Sequence, residues 1–374
     1  MTPRVRAGLR PLTQKPTPIP IFCRYVHRDV PDARLMTFLR RSAYSGNGNR
    51  IPVTPLEPGQ QLDHYHLEAL VARSGMASIF RATDLRSGET VAIKVPHPEV
   101  ESDPVLFDRF HREAAIGREL DHPSIMRVFP EEKRSRVYMV MEWVEGRPLR
   151  HILHEEGKME EARALRIGIA ICDALDHIHS RGVVHRDLKP ENIMIASTPA
   201  GHESVKLIDF GIAGKQGGRR LTFGSFSKLS GTADYISPER VKGKRGDARS
   251  DIYGLGVMLF EMLSGAPPFE GANPLVVMNS RVNNIAPVLR SVNPKRGVNP
   301  KVAQIVGKML ERDPERRYAT AFELALDLDR PDQAVIQAYA APSPLQGRKA
   351  LFYSGLFAIP TALFALLLLF ARHQ

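Results

Sequence analysis

HRDLKPEN, residues 185–192, is the stretch from which the rest of this chain is read. Taken alone it is ordinary: Asp187 reads as a turn residue and Asn192 as a helix cap. Four other segments change that reading when taken with it in chain order. VAIK (residues 91–94) ends on Lys94, and Glu113 lies in the helical pattern RFHREAAIGREL that follows. DFG (residues 209–211) comes after the opening stretch and GTADYISPE (residues 231–239) after that. Singly, Lys94 is a solvated strand lysine, Glu113 one half of a surface pair and Asp209 another cap. Jointly those readings become improbable.

In this order and spacing the segments resemble the protein kinase family over roughly residues 65–328. GMASIFRA, HPSI, VMEWVEG and SDIYGLGVMLFEML are similar to the eukaryotic-like serine/threonine protein kinases of bacteria, many of which are membrane-anchored. The resemblance implies an α+β, two-lobed protein kinase fold, with a small mostly-β N-lobe and a larger α-helical C-lobe. It also implies ATP as phosphoryl donor, Mg²⁺ or Mn²⁺ as the metal, and proteins bearing Ser/Thr hydroxyls as acceptors. The chemistry accounts for the residue types. Phosphoryl transfer asks a protein to position a polyanion and spread its developing charge, which takes cations, metal-holding oxygens and one carboxylate near the acceptor hydroxyl.

By resemblance, Lys94 holds the α and β phosphates and is itself held by Glu113, while Asp209 and Asn192 bind the metal. Asp187 accepts or orients the acceptor proton, and Lys189 reaches the γ-phosphate in the manner of serine/threonine enzymes, a reading that Thr232 supports. Ile79 and Ala92 form the roof of the adenine pocket and Met194 its floor. Met141 is the gatekeeper, and backbone groups of Glu142 and Val144 meet the base. Trp143, the only tryptophan, lies in that hinge. Asp251 braces the catalytic loop and Arg317 pairs with Glu239, both structural roles, and His185 packs within the loop and is no base.

The nucleotide lid departs from the family. Ala72, Arg73, Ser74, Gly75, Met76, Ala77, Ser78 and Ile79, preceded by Val71, occupy its G-x-G-x-x-G-x-V pattern, with Ala72, Ser74 and Ala77 at the glycine positions and Ile79 at that of the Val. Glycines there permit positive φ and close approach to phosphate; a residue with a Cβ costs roughly 1–2 kcal/mol wherever the left-handed region is required. The expectation is a lid of lowered quality on an active enzyme. Its rival is a pseudokinase, a membrane scaffold supported only by that lid. A small-molecule kinase is disfavoured by GTADYISPE and the context of Arg317. Smaller departures, Ser124 after HP and Ser237 before Pro238, touch no reacting atom.

Arg186 directly precedes Asp187, where a basic residue pairs with a phosphate on the activation segment. Thr222, Ser225, Ser227 and Ser230 lie in that segment beside Arg219 and Arg220, so autophosphorylation is expected there, with a homodimer for the reaction in trans.

Composition agrees with a globular protein: 43% hydrophobic and 25% charged residues over 374. The net charge of +11 is concentrated in residues 1–60, where ten Arg/Lys face Asp29, Asp32 and Glu57. No basic stripe interleaved with aromatics occurs beyond it, so nucleic acid is not an expected partner. Cys23 and Cys172 lie far apart in sequence without a Cys/His partner at metal spacing, so neither a disulfide framework nor a zinc site is suggested.

Residues 1–60 are Pro/Arg-rich and aperiodic, read as a disordered leader with Met1, Met36 or a transit peptide left open as the explanation of its start. Residues 61–330 carry the kinase-like pattern, strands first (YHLEALVA, SIFRATD, TVAIKV) and helices after. Ile167, Ile171, Leu175 and Ile178 mark one helix with a buried stripe that ends at Gly182. Residues 331–349 read as a linker. Residues 350–371 contain no charge over 22 positions, and a helix of that length, roughly 33 Å, spans a bilayer. Arg348 and Lys349 before it, against Arg372 in the tail 372–374, place the large domain on the cytoplasmic side, and the resemblance to bacterial kinases implies a bacterial inner membrane.

Overall fold

The computed structural model of the chain describes residues 55–130, 134–197, 203–209, 214–215, 232–289 and 297–336. Described residues up to Ala334 belong to one unit, and Val335 and Ile336 are the described part of a second. Most of the leader, residues 210–213, the four candidate phosphorylation sites and the apolar stretch 350–371 lie outside the described residues. Among the described residues, no helix is long and apolar enough to cross a membrane.

Alternating apolar and polar residues build the first layer. β1 (Gln61–Leu62), β2 (Tyr65–Arg73), β3 (Ala77–Asp84) and β4 (Thr90–Pro96) join β5 (Met139–Glu142) in one antiparallel sheet whose order follows the chain. Successive side chains point to opposite faces. Val91, Ile93 and Val95 pack on one face with Leu67, Phe80, Tyr138 and Val140. Ala92 packs on the other with Met139, Met141 and Phe110. Lys94 shares the face of Ala92 by the same alternation.

After α1 (Pro98–Ser102) comes α2 (Pro104–Glu119). Asp103 caps it, its carboxylate accepting from the N–H groups of Val105 (2.8 Å) and Leu106 (3.3 Å), and Pro104 opens the first turn. Phe110, Glu113, Ile116 and Gly117 make its buried face. At Gly117 the approach is close enough that a Cβ would sit 2.4 Å from Val128 Cγ2, so this turn tolerates only glycine without displacing the chain beside it.

The second layer is mainly helical. β6 (Arg147–Pro148), α3 (Leu149–Glu156) and α4 (Glu161–Ser180) precede β7 (Val183–Val184), β8 (Ile193–Ser197), β9 (Glu203–Leu207) and β10 (Gly214–Lys215). β6, β8 and β9 form a three-stranded sheet, and β7 pairs with β10. Helices α5 (Pro238–Val241), α6 (Ala248–Ser264), α7 (Pro274–Asn283), α8 (Pro300–Met309) and α9 (Ala321–Asp329) complete the set. The stripe Ile167, Ile171, Leu175, Ile178 is buried on α4, which stops at Ser180, with Gly182 turning the chain at φ 70°. In α6 every residue from Ser250 to Leu263 is buried. A helix covered all round belongs at the centre of its layer, and this one carries Asp251 to the underside of the loop between β7 and β8.

Candidate active site

Three elements meet at Lys94. Strand β4 presents the ammonium, α2 presents the Glu113 carboxylate that binds it, and Asp209 Oδ1 approaches from the far layer at 3.5 Å. Burial by itself would lower the Lys94 pKa, but Asp209 and Glu113 together hold it above its ordinary value. Burial pushes Glu113 up to about 7, with Asp209 adding to the rise and Lys94 pulling against it. One ammonium between two carboxylates leaves an excess negative charge, which explains why the more buried acid resists ionisation.

A pH dependence follows. Between the usual glutamate value and about 7 the folded protein binds a proton at Glu113 that the unfolded chain does not. This site therefore lowers stability progressively as pH rises through that window, and the full cost persists above it. Thermal melting across that range checks this, and Glu113→Gln should flatten the profile.

The loop between β7 and β8 is shaped by backbone bonds to one buried carboxylate. Asp251 accepts from the N–H of His185 (Oδ2, 2.8 Å) and of Arg186 (Oδ1, 2.8 Å), and His179 Nε2 lies 2.8 Å from Oδ2. Despite burial, these contacts keep the Asp251 pKa below its usual value. Arg186 is held at φ 65° and Asp209 at φ 65°, both in the left-handed region. Burial pushes the His185 imidazole pKa down, and its Nδ1 accepts from the Asp187 N–H at 3.2 Å, so it is a neutral packing group.

Asp187 is surrounded by donors. Lys189 Nζ lies 2.8 Å from Oδ2, and Asn192 Nδ2 donates to the Asp187 carbonyl at 2.8 Å and to Oδ2 at 3.3 Å. The Ile208 N–H donates to the Asn192 carbonyl at 2.8 Å, which sets Asn192 beside the segment that carries Asp209. A carboxylate and an amide carbonyl are hard oxygen donors. Their small number fits an ion such as Mg²⁺, which completes its shell with water and substrate phosphates. Among the described residues no cluster of three His, Cys, Asp or Glu side chains forms a self-sufficient metal site.

Ile79, Ala92, Met141, Trp143 and Val144 share one apolar cluster under the sheet. Met194 is buried separately on β8, opposite Lys206 of β9 and Pro148 of β6. Glu142, next to Met141 on β5, pairs with Lys206 at 2.8 Å. Trp143 Nε1 donates to Glu145 at 2.8 Å and its ring lies 5.4 Å from the Arg81 guanidinium, a packing role.

In the lid, Ala77 is buried while Arg73, Ser74 and Gly75 are exposed. The only described non-glycine residues with positive φ are Asp63, Arg186 and Asp209. Ala72 in β2, Ala77 in β3 and Ser74 in the turn between them are not at positive φ and thus incur no left-handed penalty.

Arg317 grips Glu239 through two bonds, Nη1 to Oε1 at 2.9 Å and Nη2 to Oε2 at 2.8 Å, and Ser250 Oγ adds 2.6 Å to Oε1. Thr232 lies in the helical turn Thr232–Tyr235. Sequence reasoning missed a network beside Asp187. Arg150 Nε binds Glu191 (3.0 Å), its Nη1 binds Glu261 (2.7 Å), and its Nη2 meets the Tyr235 hydroxyl, which itself donates to Glu261. It also missed Arg281, fully buried, which holds the carbonyls of Asp234 and Ile236 (3.0 Å for the latter). Partners 41 to 111 residues apart leave no local pattern in the sequence.

Comparison with known proteins matches this geometry to a family. Residues 65–327 match the family described as the protein kinase domain. The chain is 37% identical over 278 residues to probable serine/threonine-protein kinase SCO3848 of Streptomyces coelicolor, covering 73% of this chain and 40% of that one. It is 39% identical over 280 residues to serine/threonine-protein kinase PknB of Mycobacterium tuberculosis, covering 73% and 44%. The matched stretch thus spans less than half the length of these relatives. A crystal structure of the Mycobacterium tuberculosis PknI kinase domain has the same fold, with a TM-score of 0.56 at 23% identity over 75% of this chain and 100% of that one. With its small antiparallel sheet over a helical lobe and the matched domain running through both, the chain belongs to the protein kinase family and resembles its bacterial serine/threonine members.

Proposed function

We propose that the protein is a serine/threonine protein kinase that transfers the γ-phosphate of ATP to protein hydroxyls. The observation that carries this is the joint engagement of Lys94 by Glu113 and Asp209, with Asp187 held among Lys189 and Asn192. Lys94 orients the α and β phosphates. Asp187 fixes the acceptor hydroxyl and takes its proton, and Lys189, already 2.8 Å from Asp187, offsets charge on the transferring group. Asp209 and Asn192 would hold Mg²⁺ or Mn²⁺, which supplies neutralisation of phosphate charge. The adenine ring would lie against Ile79, Ala92 and Met141, with Met194 beneath and the backbone of Glu142 and Val144 at its edge. The pseudokinase reading is not favoured, since the groups that supply charge are all present and the lid incurs no backbone strain.

Regulation and location belong to the same proposal. Arg186 is buried, its Nε and Nη2 have no hydrogen-bond partner among the described residues, and burial with Arg245 and Arg240 nearby pushes its pKa down to about 10. That concentration of positive charge supports a phosphate from Thr222, Ser225, Ser227 or Ser230 docking there after autophosphorylation, in a homodimer. Residues 61–330 would form the catalytic domain, 331–349 a linker and 350–371 an anchor that leaves the kinase on the cytoplasmic side. The test is incorporation of γ-labelled phosphate by the full-length protein with Mg²⁺ or Mn²⁺, followed by phosphosite mapping. Label on serine or threonine of an added protein is the expected result, and no label at millimolar-scale ATP would return the scaffold reading. An active preparation without phosphate between residues 212 and 232 would remove the regulatory part alone.

A further inference from the structure

Between β2 and β3 the chain turns through Ser74, Gly75 and Met76, and one side chain ties the turn to itself. Ser74 Oγ accepts from the backbone N–H of Met76 at 3.2 Å and of Ala77 at 3.1 Å, and its hydroxyl lies 3.2 Å from the Ala77 carbonyl, to which it donates. The Ser74 N–H closes the same turn onto the Ala77 carbonyl at 2.9 Å. From the other side, His97 beyond β4 fastens the tip. Its N–H donates to the Met76 carbonyl at 2.9 Å, and its Nε2 lies 3.0 Å from Ser78 Oγ.

A loop of this kind binds phosphate through successive backbone N–H groups pointing at one anion. Here two of those groups are already directed at an oxygen that the chain itself supplies. A glycine at position 74 would offer no such oxygen, and an alanine would keep the Cβ without it. Since the turn has no residue at positive φ among its non-glycine members, the hydroxyl and not backbone strain distinguishes this lid from a glycine-rich one.

We propose that the Ser74 hydroxyl is an internal stand-in for a phosphate oxygen, capping the Met76 and Ala77 amides in the nucleotide-free protein, so that the terminal phosphates of ATP must displace it to bind. Ser74 is then an affinity-setting, positioning residue: it tunes how tightly phosphate is held and leaves the adenosine portion untouched. This rests on the ATP reading above. Two side-chain-to-backbone bonds exchanged for two bonds to phosphate make the competition modest, roughly fivefold in affinity.

Calorimetric titration with a non-transferable ATP analogue and with adenosine, in the full-length protein and its Ser74→Ala, Ser74→Gly and Ser74→Thr variants, tests this without turnover. Expected are analogue binding roughly fivefold tighter in the Ala and Gly variants, wild-type affinity in the Thr variant, and unchanged adenosine affinity in all. Amide hydrogen exchange at Met76 and Ala77 should be faster in nucleotide-free Ser74→Ala than in the wild type. Equal or weaker analogue binding by Ser74→Ala overturns the inference, as does a parallel change in adenosine binding or unchanged exchange at the two amides. If the wild type and every variant bind adenosine and the analogue not at all, the ATP reading itself falls and takes the inference with it.

Discussion

Asp187→Asn is expected to lower phosphate transfer by roughly 10²- to 10⁴-fold, the usual contribution of a positioned proton acceptor. Asn192 Nδ2 bonds the backbone carbonyl of residue 187 at 2.8 Å, and Asp251 holds the two preceding amides, so the loop keeps its shape when the carboxylate is neutralised. ATP affinity and melting temperature should therefore change little while incorporation of labelled phosphate collapses. A variant that transfers phosphate at the wild-type rate would show that the acceptor proton leaves by another route. Asn rather than Ala is the informative change, because it preserves size and removes only the charge that also holds Lys189.

The largest loss of stability is expected from Arg317→Met. Arg317 is fully buried and its partner nearly so, and removing one member of such a pair strands the other charge away from water, at about 3–5 kcal/mol. Further bonds from Arg317 to the carbonyls of Arg249 (2.9 Å) and Glu311 (2.8 Å) are lost with it. Glu239→Gln should cost less, since an amide oxygen still accepts. The pair also sets a pH dependence. Burial would raise the Glu239 pKa, but the bonds from Arg317 and Ser250 hold it down at about 2, below the ordinary 4.5. A depressed acid stabilises fully above its unfolded value, so this contribution is intact at neutral pH and disappears as pH falls from about 4.5 through about 2. Denaturant unfolding at several pH values should show that acid limb in the wild type and not in Glu239→Gln.

What could be read from the sequence divides by the range of the interaction. TVAIKV alternates with period two and lies inside β4, and the stripe on α4 follows helical spacing, because neighbouring residues on one face are a few positions apart. Lys94, Glu113, Asp187, Asn192 and Asp209 stood out because the order and spacing of their segments resemble the protein kinase family, whose phosphoryl chemistry restricts which side chains suit each place. The Arg150 network was invisible for the opposite reason: Glu191, Tyr235 and Glu261 converge on it only through tertiary packing, and an arginine on a short helix is otherwise commonplace. The lid shows a subtler limit. The missing glycines were plain in the letters, but whether they mattered depended on φ, which small residues do not reveal. The Ser74 hydroxyl, within reach of two amides, became meaningful only once the turn was known.

Asp251 has one further consequence. By binding the amides of His185 and Arg186 from below, it holds Arg186 at φ 65°, a conformation an unfolded chain seldom visits. Its own helix is covered on every side, so the carboxylate cannot drift with solvent or ligand. The reacting geometry around Asp187 is therefore settled when the helical layer folds, before any nucleotide arrives. The floor of the site thus owes its shape to a carboxylate that never meets the substrate, and not to the ligand it receives.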